Sequence, residues 1–112
     1  MKSTYISWRF KTDNDYFGRL KKLLEPATKR SWVHYSTERR YEDDWLSADI
    51  GDQATLRFYE HYKGILDAVL KVVSEDAEHD DHVVAARHRV LNEILPVADA
   101  REVEEIETKH RY

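Results

Sequence analysis

From Thr4 to Lys11 the chain alternates without interruption, with Ile6, Trp8 and Phe10 on one side and Tyr5, Ser7, Arg9 and Lys11 on the other. A period of two sends successive side chains to opposite faces of an extended chain, so this stretch reads as a strand with one buried face. A strand of that kind needs a sheet around it. Thr12-Asp13-Asn14-Asp15 then resembles a capping box, and Tyr16, Phe17, Leu20, Leu23 and Leu24 follow at helical spacing up to Pro26. The pattern predicts a first helix over 13–25, weakened by Gly18 in its interior.

Aromatic and β-branched residues predict a second strand over Trp32–Thr37, which the charged run to Tyr41 could extend, and a third over Trp45–Ile50. Gly51-Asp52 supplies turn chemistry, and Ala54–Tyr59 alternates as a fourth strand, although Phe58, Tyr62, Ile65, Leu66 and Val69 also fit a helical stripe. Over Tyr62–Ser74 the spacing predicts a helix. Ile65, Leu66, Val69, Leu70, Val72 and Val73 cover an arc of roughly 160°, wide enough for a central buried element. A third helix is expected over 82–95, after the acidic run Glu75–Asp81 and before Pro96. A fourth opens at Asp99 with a thin ridge of Val103, Ile106 and His110 and i,i+4 pairs such as Arg101–Glu105 and Glu105–Lys109.

The expected fold class is therefore α+β. An antiparallel-rich sheet of three to four strands in the order β-α-β-β-β is followed by a C-terminal helical region of about three helices. The whole chain, 1–112, reads as one domain, with sheet and first helix in 1–60 and helices in 61–112.

Composition excludes several chemistries. No cysteine is present, which removes disulfides, Cys-ligated zinc, iron–sulfur clusters and thiol nucleophiles. The three glycines, Gly18, Gly51 and Gly64, are too far apart for a dinucleotide fingerprint or a phosphate-cradling loop. The serines lack a nucleophile-elbow context, no HExxH helix occurs, and Asp43-Asp44 and Asp80-Asp81 are adjacent in sequence without implying convergent geometry. His34 with Glu38, Arg39 and Arg40 reads as a solvated charge run rather than a hydrolytic pocket. No enzyme activity and no cofactor are expected. With no secretory h-region and no apolar run long enough for a membrane span, a cytoplasmic protein without membrane association is the expectation.

Charge is uneven along the chain. Residues 1–62 carry 11 Lys and Arg against 10 Asp and Glu, whereas residues 63–112 carry 7 against 12. The near-neutral N-terminal part also holds 12 of the 13 aromatics. Aromatic and basic residues assigned to the outward sheet face, Tyr5, Arg9, Lys11, Trp32, His34, Trp45, Arg57 and Tyr59, make up a candidate binding face. Tyr, Trp and Arg dominate protein–protein hot spots, and rings interleaved with cations also suit single-stranded nucleic acid. The competing explanation is a second core layer covered by the C-terminal helices.

Arg87 falls near the middle of the apolar arc formed by Val83, Val84, Val90, Leu91, Ile94 and Leu95, with His88 at its edge. Such a charge snorkels, pairs with a carboxylate, or anchors an interface. Arg87, His88, Val103 and Ile106 are therefore the candidate interface residues of the helical part. His79 and His82, amid acids, are weak metal-ligand candidates, because the segment's acids already have a helix-start explanation.

Taken together, these features point to a non-enzymatic binding protein that occupies a protein partner as an inhibitor, adaptor or immunity-type factor, with a homodimer expected. The alternatives are a small-molecule-binding domain whose cleft is lined by Trp8, Trp32, Trp45 and Tyr59, and a sheet that binds single-stranded nucleic acid.

Overall fold

The alternation of the N-terminal segment is repeated in the structure: Thr4, Ile6, Trp8 and Phe10 are buried and the residues between them are not. The computed structural model describes residues 1–13, 15, 16, 18–20, 22, 23, 33–36, 44–51, 53–62, 64–75 and 77–111, with the backbone alone for 33–36, 44–48, 60 and 61. Among these, the first strand, β1, covers Lys2–Lys11. It is followed by β2 (Val33–Ser36), β3 (Asp44–Gly51), β4 (Ala54–Tyr62), β5 (Ile65–Ser74), helix α1 (His79–Arg89) and β6 (Arg101–Arg111). The strands form one antiparallel sheet in the order β2-β3-β4-β5-β1-β6. The class is α+β with an antiparallel sheet, as the patterning indicates.

The second, third and fourth strands lie where alternation places them, and β4 runs on to Tyr62. Residues 16, 18–20, 22 and 23 are helical, and Leu20 is buried. The expected extensions to residues 24–32 and 37–43 lie outside the described residues. Asp13 starts this helical stretch by accepting a hydrogen bond from the Asp15 backbone N–H (2.8 Å) and one from Arg19 Nη2 (2.9 Å). Arg19 in turn donates to the carbonyls of Val97 and Ala98, tying the stretch to the chain before β6.

The sheet has six described strands rather than three to four, because two segments expected as helices are strands. The segment expected as a central buried helix over 62–74 is strand β5, in the interior of the sheet between β4 and β1. Its sequence carries both periods. Leu66, Ala68, Leu70 and Val72 form the buried face, while Ile65, Val69 and Val73 occupy the other face half-exposed, so an interior strand apolar on both sides imitates a helical stripe. The segment expected as a fourth helix is strand β6, exposed along its whole length and paired with the free side of β1. The region 61–112 is thus not helical throughout. Its described helix is confined to α1 and the π-helical turn Val90–Ile94 that continues it.

The buried ridge of α1, His79, Ala86 and Val90, leaves Arg87 to one side, and the π-helical turn carries that ridge on. The Leu95 N–H bonds the Val90 carbonyl at 2.9 Å, five residues back. The wider turn changes the phase of the stripe, so that Ala86, Val90, Ile94 and Leu95 are buried against the sheet. Val84 (67% exposed) and Leu91 are left outside, and Arg87 lies beside the buried ridge rather than in it. Arg89 Nη1 donates to the Ile50 carbonyl and anchors the helix end to β3. Beneath the helix, Phe10 and Phe58 meet edge to face at 6.2 Å.

Gly51 (φ +86°) leaves β3, and Gly64 (φ +82°) enters β5. At Gly64 an added Cβ would stand 3.4 Å from the Thr12 carbonyl, and the Thr12 N–H bonds the Gly64 carbonyl at 2.9 Å. Glycine suits this position both for its dihedral and for the close approach of β1's end.

Leu70→Ala should cost about 2–5 kcal/mol in urea unfolding, whereas Val69→Thr should cost less than about 1 kcal/mol, because only the former empties the core. A helical segment would bury both positions on one stripe and make the two costs similar. Arg19 and, secondarily, the Asp15 N–H hold the Asp13 carboxyl below the ordinary Asp range. A lowered carboxyl contributes its stabilisation fully above the unfolded value of about 3.9 and loses it as pH falls through the lower folded value. Asp13→Asn should therefore remove part of the acid-side loss of stability, read as a denaturation midpoint that falls less steeply as pH drops below about 4.

Candidate interaction face of the sheet

Since α1 and its continuation pack on the row containing Ile6, Leu56 and Leu70, the intervening residues form the opposite, open face. The registers assemble this face into rows across the strands. In one row, Thr55, Lys71, Tyr5 and Lys109 lie side by side. The next holds Arg57, Val69, Ser7 and Glu107, and a third holds Tyr59, Asp67, Arg9 and Glu104. Tyr5, Ser7, Tyr59, Val69 and Arg9 are half-exposed and Arg57 and Lys71 exposed, so among the described residues no helix covers the face.

Sequence reasoning brought five of its eight candidates to this face: Tyr5, Arg9, Lys11, Arg57 and Tyr59. Trp45 aligns in register with Tyr59. His34 does not join them, since it aligns with Leu46 and through it with Phe58, whose row is the buried one, while Tyr35 aligns with Trp45. The offset follows from the β2–β3 pairing, which strand alternation within β2 alone does not reveal. Trp32 lies outside the described residues. Trp8 is buried on the helix side and Tyr59 is on the open side, so these two do not line a common cleft.

Electrostatically the face has two halves. At one end the Tyr5 ring has Lys71 Nζ and the Arg111 guanidinium carbon each 5.7 Å from its centroid, within cation–π range. A cavity of about 260 Å³ there is lined by Tyr5, Ser7, Val69, Glu107, Lys109 and Arg111. A neighbouring one of about 320 Å³ includes Thr55, Arg57, Lys71 and Val73. Lys109 reaches Glu107 at 2.8 Å, which leaves Lys71 and Arg111 as cations that contact a ring and, among the described residues, no carboxylate.

At the other end the charges neutralise one another. Arg9 donates from Nε and Nη2 to the two Asp67 oxygens at 2.8 and 3.1 Å, and this fork holds the guanidinium above its already high ordinary value. Lys11 pairs with Glu102 at 2.7 Å and holds that carboxyl below the usual range. A cavity of about 470 Å³ adjoins this pair and is lined by Lys11, Thr12, Gly64, Ile65, Arg101 and Glu102.

On the helix side, Arg87 Nη2 meets Glu105 Oε1 of β6 at 2.5 Å, an ion pair within the chain. His88 is exposed on α1, and Val103 and Ile106 are exposed on β6, so the four candidate interface residues divide between a helix and an edge strand. His79 is fully buried at the start of α1. Its Nδ1 lies 2.7 Å from Ser74 Oγ and its Nε2 2.8 Å from Thr4 Oγ1, and Thr4 Oγ1 lies 3.0 Å from His110 Nδ1. Both imidazole nitrogens are engaged with hydroxyls, and His82 is half-buried one turn on. Among the described residues, no group of three or more His, Asp or Glu is placed to hold a metal ion.

This polar chain, buried at Ser74, His79 and Thr4 and reaching the surface at His110, joins β1, β5, α1 and β6, and sequence reasoning missed it. The available signal was polarity at inward positions: Thr4 begins the row Ile6-Trp8-Phe10, and Ser74 ends the row Leu66-Ala68-Leu70-Val72. Among the described residues no helix is long and apolar enough to cross a membrane. No family profile matches the chain, and no curated protein matches it significantly.

Thr4→Val keeps the shape at position 4 but removes the hydroxyl shared by His79 and His110. It should lower unfolding free energy by about 1–3 kcal/mol, the cost of leaving a buried imidazole nitrogen without its partner. A loss below about 0.5 kcal/mol in urea denaturation would show that the network carries no stability.

Proposed function

We propose that this chain is a non-enzymatic cytoplasmic binding protein that occupies a protein partner with the open face of its sheet, as an inhibitor, adaptor or immunity-type factor. The observation that carries the reading is the Tyr5 cluster. A half-exposed tyrosine with two cations at its ring, beside Lys109 and between two cavities, combines the residue types that concentrate binding energy in protein interfaces. Tyr loses little side-chain entropy on docking, and the sheet holds the cluster in place.

The distribution of charge favours a protein over a nucleic acid. Asp67, Glu104 and Glu107 stand in the same rows as the cations, and carboxylates at that spacing oppose a continuous phosphate backbone. Tyr5 and Tyr59 are two rows apart with Arg57 and Val69 between, which breaks the succession of rings that stacked bases require. An acidic surface carrying an apolar or aromatic anchor fits better. Lys71 and Arg111 would meet its carboxylates, and Tyr5 would pack on the anchor.

The test is affinity capture from a native lysate with the wild-type chain, Tyr5→Ala, Lys71→Glu and the helix-face control Val84→Ala, each checked for folding by circular dichroism. The two open-face variants should weaken capture of one defined protein by roughly thirtyfold, the scale of a 2 kcal/mol hot spot, while the control retains it. Equal capture by all four chains overturns the reading. A gel shift with single-stranded oligonucleotides at low salt, abolished by Lys71→Glu, would replace it with nucleic-acid binding.

A further inference from the structure

We infer that β6 is a self-association edge, pairing antiparallel with β6 of a second copy about a two-fold axis at Thr108. The strand runs Arg101–Arg111 at the end of the sheet, and all eleven of its residues are exposed. One side is bonded to β1, and among the described residues no strand pairs with the other. An edge of this length presents a row of backbone donors and acceptors, which proteins usually guard with charge. Here the order of the charges matters as much as their presence.

The β1–β6 register assigns each residue of β6 to a row and a face. Arg111, Lys109, Glu107 and Glu104 stand opposite Ser3, Tyr5, Ser7 and Arg9 on the open face. His110, Thr108 and Glu105 stand opposite Thr4, Ile6 and Trp8 on the helix face, and Ile106 is taken up by the irregularity between Ser7 and Trp8. In a symmetric antiparallel pair, the row on the axis meets itself and rows equally far on either side meet each other. With Thr108 on the axis, Lys109 faces Glu107 of the second copy, Arg111 faces Glu104, and His110 faces Glu105. Each contact occurs twice.

Other centres lack this complementarity. An axis at Glu104, Glu105, Glu107 or Lys109 brings that charge against its own copy, and an axis at His110 sets Arg111 against Lys109. Among the paired residues from Glu104 to His110, Thr108 alone gives a register without like charges opposed. Opposite-charge cross-strand pairs are favourable and like pairs unfavourable, so the pattern selects one register and discourages the rest. The axis also falls in Glu107–Arg111, the part of β6 that pairs with β1 without a register shift. The dimer would join two six-stranded sheets edge to edge and set their open faces side by side. This inference concerns the edge and stands independently of what the open face binds.

Because the chain contains no cysteine, a single introduced thiol reports the register cleanly. Thr108→Cys should form an interchain disulfide under mild oxidation, since directly opposed residues lie within disulfide reach. Glu104→Cys, which faces position 111, should not. Sedimentation of the wild-type chain should give twice 13.4 kDa at low salt. Lys109→Glu/Arg111→Glu and Glu104→Lys/Glu107→Lys, each folded by circular dichroism, should each self-associate at least roughly tenfold more weakly, and an equimolar mixture of the two should recover the dimer. A wild-type chain monomeric at about 500 µM overturns the inference, because even a weak micromolar dimer would be populated there. Equal crosslinking at both cysteine positions, or a dimer indifferent to both charge reversals, overturns the edge and its register.

Discussion

Most of this structure depends on satisfying both sides of β1. An extended chain exposes a backbone donor and acceptor row on each side, and burying its apolar face makes unpaired groups on either row costly. β5 pairs with one side and β6 with the other, so the first strand is held entirely by the second half of the sequence. That demand accounts for β6 being extended. As a helix, the segment would have buried only a thin ridge, whereas as a strand it completes the hydrogen bonding of β1 even though its side chains stay in solvent. The hydroxyl–imidazole chain from Ser74 through His79 and Thr4 to His110 joins these same strands to the start of α1.

One consequence is a division of labour between the two faces of the sheet. The helix side takes the large apolar residues, with the π-helical turn adjusting the phase of the helix so that Ala86, Val90, Ile94 and Leu95 meet them. The open side is left to residues of mixed character that are close enough to act together. Rings, cations and carboxylates stand there in rows fixed by the strand registers. Arg9–Asp67 and Lys11–Glu102 neutralise one end, and the cationic cluster around Tyr5 stands at the other.

What was legible depended on how many neighbours decided a residue's place. Tyr5, Arg9, Lys11, Arg57 and Tyr59 follow from alternation within their own strands, because the period of two fixes a side chain's face once one residue is known to be inside. His34 falls in the register row of Leu46 and Phe58, a row set by how β2 pairs with β3 and not contained in the alternation of β2 alone. Arg87 falls within an apolar stripe only on a regular helix continued through Leu95, whereas the buried ridge of His79, Ala86 and Val90 leaves it to one side, paired with Glu105. The network at His79 required four segments at once, although Thr4 and Ser74 at inward positions signalled that something polar was buried there.

The sequence by itself determined the α+β class, the strands β1 to β3, the helix before Pro96 and the turn at Gly51, because each rests on a local period or a local dihedral requirement, whereas β4 fitted both periods until its pairing with β3 and β5 decided it. It also determined the separation of aromatic from acidic character along the chain. Only the tertiary structure decided that Ile65–Ser74 is an interior strand and Arg101–Arg111 an edge strand. The first carries apolar residues on both faces, a pattern whose spacing also fits a helix, and only its pairing with β4 and β1 makes it a strand. The second is polar on both faces and extended because β1 needs its backbone, a demand no window of its own residues contains.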